Sequence, residues 1–206
     1  MKHFERKIYL ASKSPRRREL LRQIGIEFEI LQLRDHTQRG PDVGEAVLLD
    51  ESPEDYVTRI CDAKASFAWQ MMRNRRLPLR PVLAADTTVV IDGKILGKPA
   101  GTTEAVEMLR QLSGRTHQVM TSIALYHQEQ SWQLTQISEV TFDDLSEQTI
   151  ARYCATNEPY DKAGGYGIQG AAAVFIRHIT GSYSGIMGLP LFETTQLLQE
   201  AGIRPI

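Results

Sequence analysis

A carboxylate set inside an apolar run is the first feature of this chain that asks for a chemical explanation. In LAADTTVVI, residues 83–91, Asp86 interrupts what otherwise reads as a buried strand. A lone charge there is costly unless it is paired, metal-bound or exposed at a strand end. Aspartates so placed hold divalent cations or take protons, and local capping is the structural alternative. Lys64 poses the same problem on a helix, because it falls in the middle of the apolar stripe Val57, Ile60, Cys61, Ala68 and Met71. It must either snorkel to solvent or find a negative partner. Lys98, in the GKP of residues 97–99, can return to the same site or serve only as a solubilising charge.

A second group of candidates lies in SKSPRRRELL, residues 12–21. Ser14 suits an N-cap and Pro15 a first helical position, so the free N–H groups and the positive dipole end would point out of a strand-to-helix turn. Such a turn attracts phosphate. Arg16 and Arg17 sit in the first helical turn, where cations oppose the dipole unless an anion joins them. Arg17 shares a stripe with Leu20, Leu21 and Ile24, whereas Arg18 aligns with Arg22 on the expected solvent face. Further on, GGYGIQG at 164–170 spells G-x-G-x-x-G. It follows a helix and precedes a strand, the reverse of the dinucleotide fingerprint, so a nicotinamide site is excluded. A loop admitting close backbone approach remains, with Gln169 offering both an amide donor and an acceptor.

The elements that must position these groups alternate along the chain. A strand over 7–12, a helix over 15–24 closed by Gly25 and a strand over 27–33 make an α/β opening. A long polar loop at 34–51 leads to a helix over 53–72, with Ser52 able to cap it. Asp92-Gly93 predicts a hairpin after the Asp86 strand. A helix over 103–112, paired strands over 118–126 and 132–142, a helix from Ser146 to about Ala155, a strand over 171–179 and a helix over 191–201 follow. Hairpins among helices predict a mixed, twisted sheet.

With 206 residues, 42% hydrophobic and 24% charged, the chain can bury a full core. A net charge of −1 argues against duplex DNA or an anionic membrane as a general partner, so the basic features are local. Residues 1–25 carry eight lysines and arginines against two acids, and residues 42–62 reverse this with seven acids against Arg59. One stretch seeks anions and the other cations. No apolar run reaches membrane-spanning length and no signal-peptide core follows the basic start, which predicts a cytosolic protein. Cys61 and Cys154 match no zinc or redox spacing and read as buried free thiols.

In order, S-x-S-P-R-R, D-A-K-A, A-D-T, G-K-P, DKAGGYGIQG and GSYSGIMGLPLFET resemble the Maf family of nucleoside triphosphate pyrophosphatases, from about Leu10 to Leu198. The resemblance implies one domain over 1–206 with an elongated, two-lobed inosine-triphosphatase-like fold around a central cleft, often dimeric. It implies hydrolysis between the α- and β-phosphates with Mg²⁺, Mn²⁺ or Co²⁺. Carried over by position, Ser14 and Arg17 hold phosphate, Lys64 and Lys98 neutralise the triphosphate, and Asp86 accepts a proton from water. Glu45 joins Asp86 on the metal, with Glu51 or Asp42 as substitutes because the loop is longer than usual. Arg16, Thr87 and Gln169 match the branch acting on dTTP and UTP. A nucleotide-binding regulator of septum formation that needs no turnover is the alternative. A single-stranded nucleic-acid binder would need an aromatic platform, yet Trp69 and Trp132 lie far from the basic turn in sequence.

Overall fold

The computed structural model describes residues 7–34 and 41–205. The chain runs through β1 (Lys7–Leu10), α1 (Pro15–Gln23), β2 (Glu27–Ile30), α2 (Pro53–Asn74), β3 (Val82–Ile91) and β4 (Lys94–Leu96). It continues through α3 (Thr102–Leu112), β5 (Thr116–His127), β6 (Gln130–Phe142), α4 (Glu147–Cys154), β7 (Ile176–Thr180), α5 (Tyr183–Ile186) and α6 (Leu191–Glu200). The strand order is β2-β1-β3-β5-β6-β7, with β4 paired to β3. β1 pairs in parallel with β2 and β3, whereas β3/β4 and β6/β7 are antiparallel, so the α/β fold carries the mixed sheet expected.

Two compact units divide the chain: Met1–Asp86 with Thr121–Gln136 and Gly188–Ile206, and Thr87–Met120 with Ile137–Met187. In the first, α2 lays Cys61, Ala65, Ala68 and Met72 against Tyr9, Leu31, Val82 and Ala84. Helical spacing puts those side chains on one stripe, and each fully buried large one is worth about 1.5–3 kcal/mol. Ser52 starts this helix as its N-cap, accepting from the Asp55 N–H at 3.1 Å, with Pro53 at the first position. The second unit packs Val89, Leu109, Leu112, Val140, Phe142, Ile150 and Phe175 together. Its β3/β4 hairpin turns on Asp92 and Gly93, both at positive φ (51° and 73°), as a type I′ turn requires.

The structure corrects one predicted element. The strand expected over 171–179 is a 3₁₀ helix at Ala171–Phe175 followed by β7. The N–H groups of Ala171 and Ala172 donate to the Glu158 carboxylate at 2.9 and 3.3 Å, so they are turned to a side chain instead of a ladder. Three consecutive alanines have little β preference with which to resist. Other ends shift by a few residues: β1 and β2 are shorter than predicted, β5 and β6 longer, and α2 runs on to Asn74. Both cysteines are buried and free. Among the described residues no helix is long and apolar enough to cross a membrane.

Candidate active site

The strand order sets a topological switch point before any side chain is considered. β1 lies between β2 and β3, all parallel, and the chain leaves β1 through α1 to one side and returns from β2 through α2 to the other. Such a switch point leaves a gap outside the carboxyl ends of the strands, where open parallel sheets bind ligands. The Ala11 N–H donates to the Leu83 carbonyl at 2.8 Å, so the turn into α1 leaves β1 alongside the start of the Asp86 strand.

Ser14 is the N-cap of α1, its hydroxyl accepting from the Arg17 N–H at 3.5 Å, with Pro15 at the first helical position. Arg17 does not wave in solvent. Its Nε donates to the Gly188 carbonyl at 2.7 Å and its Nη1 to the Ser12 hydroxyl at 3.2 Å. Burial pulls the guanidinium below its ordinary value, and the Asp86 carboxylate works against that fall. An arginine held by two fixed acceptors beside a helix N-terminus is placed where an anion could be received. Arg16 and Arg18 are half-buried. Arg22, expected merely to face water, is exposed and stacks over the Phe28 ring at 5.4 Å.

The two sequence anomalies resolve each other. Lys64 Nζ lies 2.6 Å from Asp86 Oδ1 and 2.6 Å from Glu45 Oε1. Lys64 and Asp86 are largely enclosed, at 18% and 13% side-chain exposure, whereas Glu45 is open at 52%. Burial alone would lower the lysine, but the Asp86 and Glu45 carboxylates outweigh it and the net shift is upward. Lys64 is therefore a largely enclosed, charged ammonium between two carboxylates, neither snorkelling nor neutral.

Of the three candidate acids in the loop, Glu45 shares the Lys64 ammonium with Asp86 and the other two are engaged elsewhere. Glu51 is clamped by Arg59 at 2.5 Å, which holds it well below the usual carboxylate range at about 2. Asp42 accepts from the Arg34 backbone at 2.8 Å and from its guanidinium. Arg59 also reaches the Ala46 carbonyl at 3.0 Å, and the Tyr56 hydroxyl donates to the Glu45 carbonyl at 3.2 Å. The loop around Glu45 is thus tied to the first turns of α2.

Among the described residues no three His, Cys, Asp or Glu side chains gather as a protein-only metal cage. Two carboxylates converging on one cation position do fit a magnesium-like ion, which takes one or two carboxylates and completes its shell with water and phosphate oxygens. The Lys64 ammonium occupies the point of convergence.

Thr87, Lys98 and Gln169 belong to the second unit. Thr87 is half-buried directly after Asp86 in β3, and Lys98 and Gln169 are exposed. The segment carrying Lys98 adjoins the glycine loop, since the Gly164 N–H donates to the Gly97 carbonyl at 3.0 Å and Pro99 packs 3.6 Å from the Cβ position of Gly165.

Sequence reasoning did not single out Ser12, Tyr56 or Gly188. Ser12 is buried and its hydroxyl also accepts from the Ser14 N–H at 3.2 Å, so it shapes the turn and orients Arg17 together. The S-x-S spacing carries that signal, because a hydroxyl two residues before an N-cap can reach the cap's own N–H. Gly188 adopts φ 109°, available at little cost only to glycine, and no local pattern connects it to Arg17, 171 residues earlier.

An arginine-bearing helix N-terminus and a lysine held between two acids, in one unit of an α/β fold, make a charge arrangement suited to phosphate. The chain belongs to the Maf family: the Maf-like protein model matches residues 7–201. It is 55% identical over 196 residues to the dTTP/UTP pyrophosphatase of Nitrosomonas europaea, covering 95% of each chain. It is 52% identical over 204 residues to that of Nitrosospira multiformis (99% of each), and 46% identical over 200 residues to that of Dechloromonas aromatica (97% of this chain, 100% of that one). The structure of the Staphylococcus aureus Ham1 protein is a looser match, with a TM-score of 0.45 and 14% identity over 67% of this chain and 72% of that one.

Proposed function

We propose that this chain hydrolyses dTTP and UTP to the nucleoside monophosphate and pyrophosphate. The observation that carries the reading is the Lys64 ammonium held at 2.6 Å from both Asp86 and Glu45, in the same unit as the Ser14–Arg17 turn. The substrate comes from the relatives, which match nearly end to end and are named dTTP/UTP pyrophosphatases. A triphosphate brings about four negative charges, and cleavage develops more on the leaving pyrophosphate. Fixed cations and a positioned carboxylate are what that transition state needs.

In this reading Ser14, the N–H groups of α1 and Arg17 seat phosphate oxygens, and Lys64 neutralises the triphosphate. Water attacks the α-phosphorus, its proton passes to Asp86, and the bond from the α-phosphorus to the bridging oxygen breaks with both electrons leaving on pyrophosphate. Glu45 and Asp86 would hold a divalent cation, which when bound supplies further charge neutralisation and a more acidic water. For that to happen Lys64 must turn from the carboxylates toward the phosphates. Lys98 adds positive charge, and Arg16, Thr87 and Gln169 select the base. These four assignments rest on the family resemblance. The same reading carries a cytosolic location and a homodimer.

The test is a panel of dTTP, UTP, GTP and ATP with Mg²⁺, Mn²⁺ or Co²⁺, with products identified. Pyrophosphate and monophosphate should form, fastest from dTTP and UTP. Orthophosphate release would overturn the bond assignment, and equal rates with GTP would overturn the substrate assignment.

A further inference from the structure

The G-x-G-x-x-G of the second unit still needs a reason, and its surroundings supply one. The Gly170 N–H donates to the Gly167 carbonyl at 3.0 Å, so residues 167–170 form a four-residue turn with Gln169 at its third position. Ile168 is buried and anchors the turn, while Gln169 stands exposed at its tip.

A side chain at either end of this turn would have to displace a neighbour from its place. A Cβ on Gly167 would lie 2.8 Å from Lys162 Cε, and a Cβ on Gly170 would overlap the Glu158 carboxylate. These glycines answer a demand for space, since Gly170 has an ordinary φ of −104°. Glu158 is the centre of the packing. Its Oε1 accepts from the Tyr153 hydroxyl at 3.0 Å and from the Ala172 N–H at 3.3 Å, and its Oε2 accepts from the Ala171 N–H at 2.9 Å. Its carbonyl accepts from Lys162 Nζ at 2.6 Å, and the stem of that same lysine lies against Gly167. Tyr153, buried in α4, is itself set edge-on against Phe175 at 5.1 Å.

We infer that Glu158 is a positioning residue for base selection: braced by Tyr153 and Lys162, it fixes both ends of the 167–170 turn and so sets where the Gln169 amide meets the pyrimidine edge. The inference rests on reading Gln169 as the residue that selects the base. A carboxylate suits the task because it accepts from three donors at once. A glutamine in its place would turn an N–H₂ toward N–H or O–H donors and would have to let the turn shift.

The experiment is a comparison of kcat/KM for dTTP and GTP in Glu158→Gln, Tyr153→Phe, Gln169→Ala and the double variant Glu158→Gln/Gln169→Ala, with thermal unfolding of each. Glu158→Gln should lower the dTTP-to-GTP ratio about tenfold, entering mainly through KM for dTTP. Tyr153→Phe, which removes one of the three donors, should lower it less and in the same direction. In the Gln169→Ala background Glu158→Gln should lower the ratio no further, the non-additivity expected of a residue that acts through another. A further fall in the double variant would mean that Glu158 acts independently of Gln169, and the inference would be wrong. An unchanged ratio in folded Glu158→Gln, while Gln169→Ala collapses it, would overturn the inference and leave the reading of Gln169 standing. If Glu158→Gln does not fold, Tyr153→Phe decides in the same way. If Gln169→Ala itself leaves the ratio intact, the base-selection reading fails and the inference falls with it.

Discussion

Lys64 in the first unit and His117 in the second are both enclosed basic side chains, and their surroundings give them opposite protonation. Lys64 faces two carboxylates at 2.6 Å and is held more basic than usual against the pull of burial. His117 meets the Tyr166 hydroxyl at 2.6 Å and the rings of Phe142 and Tyr166 edge-on at 5.1 and 5.4 Å, with its Nδ1 buried and unbonded. Burial with no compensating charge drives it down to about 4. Enclosure alone is therefore no sign of chemistry. The sign is enclosure together with charges that keep each other ionised, because such a cluster costs folding energy unless a charged ligand uses it.

The strongest way to break this contrast is to remove the acid at its centre. Asp86→Asn keeps the shape of the first cluster but takes away the proposed proton acceptor, and should lower kcat for dTTP roughly 10²–10⁴-fold in a pyrophosphate-release assay. Near-normal turnover in the folded variant would demote the triad to a structural ion pair.

The aromatic cluster predicts a stability effect instead. The folded pKa of His117, about 4, lies below the ordinary 6.5, so the native state disfavours the proton that the unfolded chain accepts. Its contribution is complete above pH 6.5 and is lost as pH falls toward 4, amounting to about 3 kcal/mol across that window. Denaturant titrations at pH 7, 6, 5 and 4.5 should show the decline. His117→Phe should flatten that pH dependence, whatever constant cost it incurs by leaving the Tyr166 hydroxyl unpaired. An equally steep decline in the variant would place the pH sensitivity elsewhere.

Lys64→Met sharpens the comparison from the other side, since it leaves Glu45 and Asp86 converging with no cation between them. Turnover should fall about 10²-fold, while Mn²⁺ binding without nucleotide should tighten, because the ammonium no longer competes for the same oxygens. Weaker Mn²⁺ binding would mean that the ion does not use these two carboxylates.

Much of this was legible in the sequence, and the reason differs by residue. Asp86 and Lys64 stood out because each broke an apolar pattern whose period fixes which side chains are buried, so their pairing required only that the strand and helix meet. Ser14 and Pro15 were legible because capping is local. Ser12 carried a local signal in its S-x-S spacing, whereas the roles of Gly188 and Glu158 depend on contacts set by the tertiary fold: a carbonyl 171 residues from Arg17, and a carboxylate packed where a side chain on Gly170, 12 residues later, would lie. The 171–175 segment was misread for the same reason, because Glu158 diverts the amides of Ala171 and Ala172.

Arg17 carries the smallest of these effects, and it asks what kind of cation the first unit needs. Its guanidinium uses Nε on the Gly188 carbonyl at 2.7 Å and Nη1 on the Ser12 hydroxyl at 3.2 Å, two bonds in different directions from one rigid plane. A lysine keeps the charge but cannot satisfy both acceptors from a single point while also facing a phosphate. Arg17→Lys should therefore lower kcat/KM about tenfold, and by the same factor for dTTP, UTP and GTP, because the triphosphate is common to all three. A uniform fall separates a phosphate clamp from the proposed base-selecting turn, where the loss should depend on the base. A change in the dTTP-to-GTP ratio with Arg17→Lys would show that this arginine, like Gln169 in the proposed reading, acts on the base as well as on the phosphates.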